Sequence, residues 1–186
     1  MDERKDGELG ILARRRIEAA IIAPIYDEMR LAIGEERARD ILRRAIRRAA
    51  IEAGAKMACH ASGEANLESF KAIWPLWTKD DALTTEVIDD KPGVFDFNVT
   101  RCRYAETYRA MGLGHTGEIL SCDRDGAFCE GYDPRIQLTR TQTIMGGASH
   151  CDFRYRVGLS EQKQSRTVDL KTPQTSALSR VAARRE

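Results

Sequence analysis

Between Asn98 and Tyr155 the chain concentrates the side chains that carry chemistry: Cys102, Glu106, His115, Cys122, Asp123, Asp125, Cys129, Glu130, Arg140, His150, Cys151 and Asp152. The first half of the chain has no comparable density. Thiols attack electrophilic carbon, histidine and carboxylates move protons, and arginine grips a carboxylate with two parallel hydrogen bonds. Cys102 lies between Arg101 and Arg103, and positive charge on both sides would favour its thiolate. On a strand, however, alternation would turn both arginines away and leave Cys102 as a small buried apolar group. In Ser149-His150-Cys151-Asp152 successive strand residues point opposite ways, so His150 can share a face with Asp152, or Cys151 with Phe153, but the three reactive groups cannot all face one pocket.

The five cysteines are an odd number without a close CxxC pair, so neither a disulfide scaffold nor a zinc ribbon is expected, and the thiols read as free in a reducing compartment. Cys102, Cys122, His150 and Cys151 are of the right types for zinc, but their spacing does not form a zinc pattern. No metal and no other cofactor is expected. Cys59 and His60 read as helix packing.

The elements that would position these groups can be read from periodicity. From Glu8 to Ile33, Ile17, Ile21, Ile25 and Met29 recur every fourth residue, with Ile22 and Ile33 widening the stripe, which predicts an amphipathic helix with that stripe as its apolar face, bent at Pro24. A second helix is predicted from Glu36 to about His60, with Ile41, Leu42, Ala45, Ile46, Ala49, Ala53 and Met57 on one face and a run of arginines elsewhere as a solvated basic face. An aromatic helix is predicted over Glu64–Trp77, kinked or ended at Pro75. Leu83–Ile88 and Val94–Val99 form a hairpin around a turn at Pro92-Gly93, short helices follow over Arg103–Met111 and from Gly117 to about Phe128, and Ile136–Ile144 and Cys151–Val157 form a second hairpin turning at Gly146-Gly147. The strand end at Arg101-Cys102-Arg103 and the turn at His150-Cys151-Asp152 should then be neighbours.

The expected fold is α+β: N-terminal helices on a small antiparallel sheet of two hairpins, one domain over residues 1–160 with a flexible C-terminal tail over 161–186. The tail is rich in Ser, Thr, Gln and Arg and poor in apolar residues. With 30 basic and 29 acidic side chains there is no global field to draw nucleic acid or an anionic membrane. The charged N-terminus lacks a secretory pattern, and the apolar run Ala19–Ile25 falls far short of the ~20 residues of a membrane span. The expected setting is cytoplasmic and the expected partner a small-molecule substrate, with self-association into a homo-oligomer left open.

Three stretches carry a resemblance: Phe97 to Glu106, Leu120-Ser121-Cys122-Asp123-Arg124-Asp125, and above all Thr139 to Tyr155, supported by Ala13-Arg14-Arg15-Arg16-Ile17-Glu18 and the first two helices. In these the chain resembles the L-2-amino-thiazoline-4-carboxylic acid hydrolases. The resemblance implies a hydrolase that opens a cyclic isothiourea or related cyclic amidine to an N-carbamoyl-cysteine-like product. For that chemistry the sequence offers Cys102 or Cys151 as nucleophile, His150 as general base and acid, Asp152 or Asp123 as partner of the amidinium, and Arg140 or Arg103 as carboxylate clamp, with Glu106 and Cys122 beside them as substrate contacts. The order of elements is also similar, more distantly, to small-molecule-binding domains of the 4-vinyl-reductase type, which would make the protein a ligand- or metal-binding sensory module.

Overall fold

The computed structural model describes residues 9–61 and 63–158; the proposed tail lies outside them. Helices α1 (Ile11–Ile33) and α2 (Glu35–Ala58) form an antiparallel pair joined at Gly34, whose φ of 84° is reached readily only by glycine. Along α2, Ala38, Leu42, Ile46, Ala50 and Gly54 repeat at intervals of four and are all buried, while Arg43 reaches Asp123 at 3.3 Å and Arg47 pairs with Glu130.

Only part of the predicted α1 stripe faces the core. Ile17, Ile21 and Ile25 are 52%, 60% and 54% exposed. Ala19 and Tyr26 are buried instead, with Ile22, Met29 and Ile33 packed against the same core. The reason is local: the Tyr26 hydroxyl donates to Glu35 at 2.7 Å and Glu18 pairs with Arg15 and Arg124, so the polar anchors of the helix turn the Ala19–Tyr26 face inward. The helix also runs on through Pro24.

Leu67–Ile73 forms α3, closed at its start by a reciprocal capping box between Asn66 and Ser69. Pro75 ends the predicted longer helix and begins a short one, α4 (Pro75–Thr78), where its missing N–H costs nothing. Strands β1 (Leu83–Lys91) and β2 (Val94–Cys102) form the first hairpin, turning at Gly93 with φ 78°. Next come α5 (Arg103–Ala110), α6 (Gly114–Gly117), a π-helical turn over Glu118–Cys122, and α7 (Arg124–Tyr132). The single helix expected from Gly117 to Phe128 is thus broken by the π turn, which shifts the phase of everything after it.

The sheet has the order β1-β2-β4-β3, all antiparallel, with β3 at Ile136–Thr139 and β4 at Cys151–Val157. Val99 pairs with Cys151 and Asn98 with Asp152, so the predicted neighbourhood of the two motifs is present. The strand expected over Ile136–Ile144 stops at Thr139 because Arg140 turns into the interior, where it meets Asp125. Phe95, Phe97 and Val99 of β2 and Cys151, Phe153 and Tyr155 of β4 alternate onto one buried face, with the Phe97 and Phe153 rings stacked at 4.9 Å.

The sheet and helices meet through α7, which crosses α2 with almost no space between the backbones. A Cβ on Gly54 would lie 2.1 Å from the Phe128 carbonyl oxygen, and one on Gly131 would lie 1.9 Å from that of Ile51. Only glycine at both positions allows this crossing.

Candidate functional site

Under the inner face of the sheet lie two adjoining voids of about 100 Å³ and about 60 Å³. Ile11, Arg15, Trp77, Leu83, Arg124, Asp125 and Phe153 line both. The larger is walled by aromatic rings from α3, α4, α7 and the sheet, among them Phe70, Trp74, Phe97, Phe128 and Tyr155. The smaller is walled by Cys102, Cys122, Cys151, Tyr104, Ser121 and Arg140.

Asp125 stands where the voids meet, in the first turn of α7, and accepts a hydrogen bond from Arg140 at 2.5 Å. Its side chain is 26% exposed and lines both voids. Burial pushes its carboxyl above the ordinary range, against the pull of Arg140. Burial works against the Arg140 charge as well, but Asp125 outweighs it and the guanidinium stays protonated. Arg140 also donates to the Cys122 carbonyl at 3.1 Å and lies 5.0 Å from the centre of the Phe153 ring. Behind the lining residues Arg15 and Arg124 lies Glu18, which accepts from Arg15 at 2.7 Å and from Arg124 at 3.1 Å, and Arg124 donates to the Leu120 carbonyl of the π turn at 2.8 Å. The linings of the two voids carry Arg14, Arg15, Arg124 and Arg140 against the single carboxylate Asp125, an excess of positive charge.

All three thiols of the smaller void are held protonated. Burial pushes Cys102 up to about 11, although the Ala105 N–H, donating to its sulfur at 3.4 Å, pulls the other way. Burial raises Cys151 against the Ile144 N–H at 3.1 Å, and it raises Cys122 with Asp125 adding to the effect. The expectation of a thiolate at Cys102 activated by its neighbours is therefore corrected. Arg101 spends its charge on Glu106 at 2.8 and 3.1 Å on the surface, and Arg103 donates to the Asp80 carbonyl at 2.7 Å. With an alkylating reagent at pH 7.5 we expect the exposed Cys59 to react within minutes and the cavity thiols to lag by orders of magnitude, with Cys102 accelerating only toward pH 11. Peptide mapping of the label checks this.

The residues anticipated from sequence thus divide. Cys102, Cys122, Cys151 and Arg140 converge on the smaller void. Glu106 and Arg103 lie outside it in the contacts just given. Asp123 is on the surface with Arg43, and His150 lines neither void: its ring meets the Gln142 amide at 2.9 Å and Ser149 Oγ at 3.0 Å. Asp152 is occupied by the backbone, accepting from the N–H groups of Thr141 and Gln142 at 3.0 and 2.8 Å and from the Thr141 hydroxyl at 2.7 Å. It pins the loop from Arg140 to His150 to the sheet, and so helps aim Arg140. Among the described residues, no group of three or more His, Cys, Asp or Glu side chains is placed to hold a metal ion. Asp125, Arg15, Glu18 and Arg124 were not assigned roles from sequence; Asp123-x-Asp125 and Arg15-x-x-Glu18 were the available signals.

For Asp152, burial opposes ionisation, but the Thr141 and Gln142 donors outweigh it and hold the carboxyl below its ordinary value. The Arg156 hydrogen bonds do the same for the buried Asp96. Both pKa values are lower in the folded than in the unfolded chain, so at acid pH the unfolded chain binds more protons. The stabilisation these groups give is complete above the unfolded carboxyl value near ~4 and is lost as pH falls through the lower folded values. Urea midpoints between pH 7 and pH 2.5 should fall with acidification, and less steeply in Asp152→Asn.

The fold is α+β with two adjoining voids under its sheet, and no helix among the described residues is long and apolar enough to cross a membrane. The chain matches the L-2-amino-thiazoline-4-carboxylic acid hydrolase family over residues 14–155, and it belongs to that family. No curated protein matches it. Among solved structures it is similar to the phenol-responsive sensory domain of the transcription activator PoxR with phenol, at 17% identity and a TM-score of 0.48 over 79% of this chain and 76% of that one.

Proposed function

We propose that the protein hydrolyses a carboxylate-bearing cyclic amidine of the L-2-amino-thiazoline-4-carboxylate kind, giving an N-carbamoyl-cysteine-like product. The family supports hydrolysis. The observation that carries the site assignment is Asp125, held beside Arg140 at the junction of the two voids with Arg15 and Arg124 on the same walls.

In this reading Arg15 and Arg124 receive the substrate carboxylate and Asp125 faces the amidinium. A carboxyl held above its ordinary range exchanges protons closer to neutral pH, which suits it to take a proton from water. The water oxygen bonds to the ring carbon between nitrogen and sulfur, the carbon–sulfur bond breaks, and the proton held by Asp125 passes to the departing sulfur. The sum is the addition of one water. Arg140 keeps Asp125 oriented and offsets its charge. Cys102 and Cys151 line the same void and offer a covalent variant: a thiol deprotonated by Asp125 attacks that carbon, the ring carbon–sulfur bond breaks with that proton passing to the departing sulfur, and water then adds to the carbon and displaces the enzyme thiol, releasing the carbamoyl product.

Incubation with L-2-amino-thiazoline-4-carboxylate should release free thiol with a mass gain of one water. If neither is seen, the proposed activity fails, and saturable binding without turnover would make the protein a binding module instead. Single Cys102→Ser and Cys151→Ser variants that keep turnover within about threefold would leave water as the attacking group, whereas a loss of ~10³-fold in one of them would assign the covalent route.

A further inference from the structure

Nothing in the reaction proposed above uses the aromatic chamber. A void of about 100 Å³ lies between Phe70, Trp74, Phe97, Phe128 and Tyr155, and apolar space within a core forfeits dispersion contacts along its lining. Natural cores close such gaps unless something else fills them. An apolar cavity of ~150 Å³ is known to take up benzene, so this chamber is on the scale of a small ring or a branched alkyl group. Tyr155, only 4% exposed, also lines the chamber, within electrostatic reach of Asp125 and Arg140.

We propose that the chamber is a substituent subsite, and that the natural substrate is a carboxylate-bearing cyclic amidine carrying an aromatic or branched-alkyl group. The substituent fills the chamber between the rings. This rests on the reading of the smaller void given above, but its test need not involve turnover. Arg15, Arg124 and Asp125 line both voids, so a single molecule can touch the ionic wall and the aromatic one together.

Two non-reacting carboxylates separate the subsite from the activity. By titration calorimetry on the full chain, 3-phenylpropanoate should bind at least tenfold more tightly than propanoate and should quench the fluorescence of Trp74 and Trp77. Ala50→Leu, which extends a buried α2 side chain on the chamber wall, should bring the two affinities within twofold while melting cooperatively. Met57→Trp fills the same chamber from another position should that variant not fold. Equal binding of the two carboxylates to the wild-type protein would overturn the subsite, whatever the enzyme turns over. A clear preference in a protein that does not hydrolyse the thiazoline would support the subsite and remove the activity. In an active protein, a 5-phenyl-substituted thiazoline carboxylate should show a kcat/KM at least tenfold above that of the unsubstituted compound.

Discussion

Asp125→Asn is expected to lower kcat for thiazoline hydrolysis by ~10²–10⁴-fold, the usual span for loss of a general base or acid. The amide keeps the shape and an acceptor for Arg140, so the fold should survive and the loss should fall on the proton transfer. Two controls bracket it. Asp123→Asn removes a surface carboxylate two positions away, paired with Arg43 at 3.3 Å, and should leave kcat within about twofold. His150→Gln removes the imidazole from the Gln142–Ser149 contacts outside both voids and should cost less than tenfold, through the Arg140 loop. The pH profile gives the sign. In the proposed reaction the working form is the carboxylate, so kcat should rise with pH through the Asp125 value, a limb that burial moves above the ordinary carboxyl range. Asp125→Asn should abolish the limb. If His150→Gln proves the more damaging change, Asp125 is not the base.

The largest structural effect should come from a single methyl group. In Gly131→Ala the added carbon would sit 1.9 Å from the Ile51 carbonyl oxygen and 2.8 Å from its carbon. Rigid backbone on both sides leaves no flexible side chain to yield, so α7 must move away from α2. Overpacking of this kind costs ~1–3 kcal/mol and occasionally more, and here the upper end is expected. Because α7 carries Arg124 and Asp125 in its first turn, the displacement should also reduce turnover. Gly126 lies on the same helix, and a methyl there would meet nothing within 4 Å; Gly126→Ala should be neutral or stabilising by up to about 1 kcal/mol. Urea unfolding of the three proteins checks the contrast.

The parts of this architecture that could be read in advance are those with one strong period. On α2, Leu42 and Ile46 are buried as read, but Ile41, Ala45, Ala49 and Ala53 are exposed and Ala38, Ala50 and Gly54 are buried in their place, whereas the alternating run of β4 announces itself and the aromatic segment with Pro75 announces its own break. The outward stripe of α1 did not, because Ile17, Ile21 and Ile25 form a better apolar pattern than the alanine and tyrosine that are buried. Hydrophobicity says that a helix has two faces but not which one a hydrogen bond such as Tyr26–Glu35 turns inward. The thiols and Arg140 were visible as types, and they do converge. Asp125 could not be told from Asp123 because the π turn over Glu118–Cys122 resets the helical phase just before both. The Glu18–Arg124 pair spans 106 positions, a separation at which local spacing carries no information. Burial then reversed the inference drawn from the arginines beside Cys102, since desolvation outweighs neighbours whose charges are spent elsewhere.

The order β1-β2-β4-β3 sets a timetable for the growing chain. The strand made last, β4, is the one that both β2 and β3 require as a neighbour, so until Val157 has left the ribosome the sheet is a lone hairpin with an unpaired inner edge. Helices α1 and α2 can pair early, but the wall bearing Cys151, Phe153 and Tyr155 cannot exist before that moment. Such long-range closure makes for slow, late folding and for an exposed edge in the interim. During synthesis the period of greatest risk of aggregation should therefore fall between completion of β2 and arrival of β4, and a chain interrupted in that interval should be recovered as insoluble material rather than as a smaller folded domain.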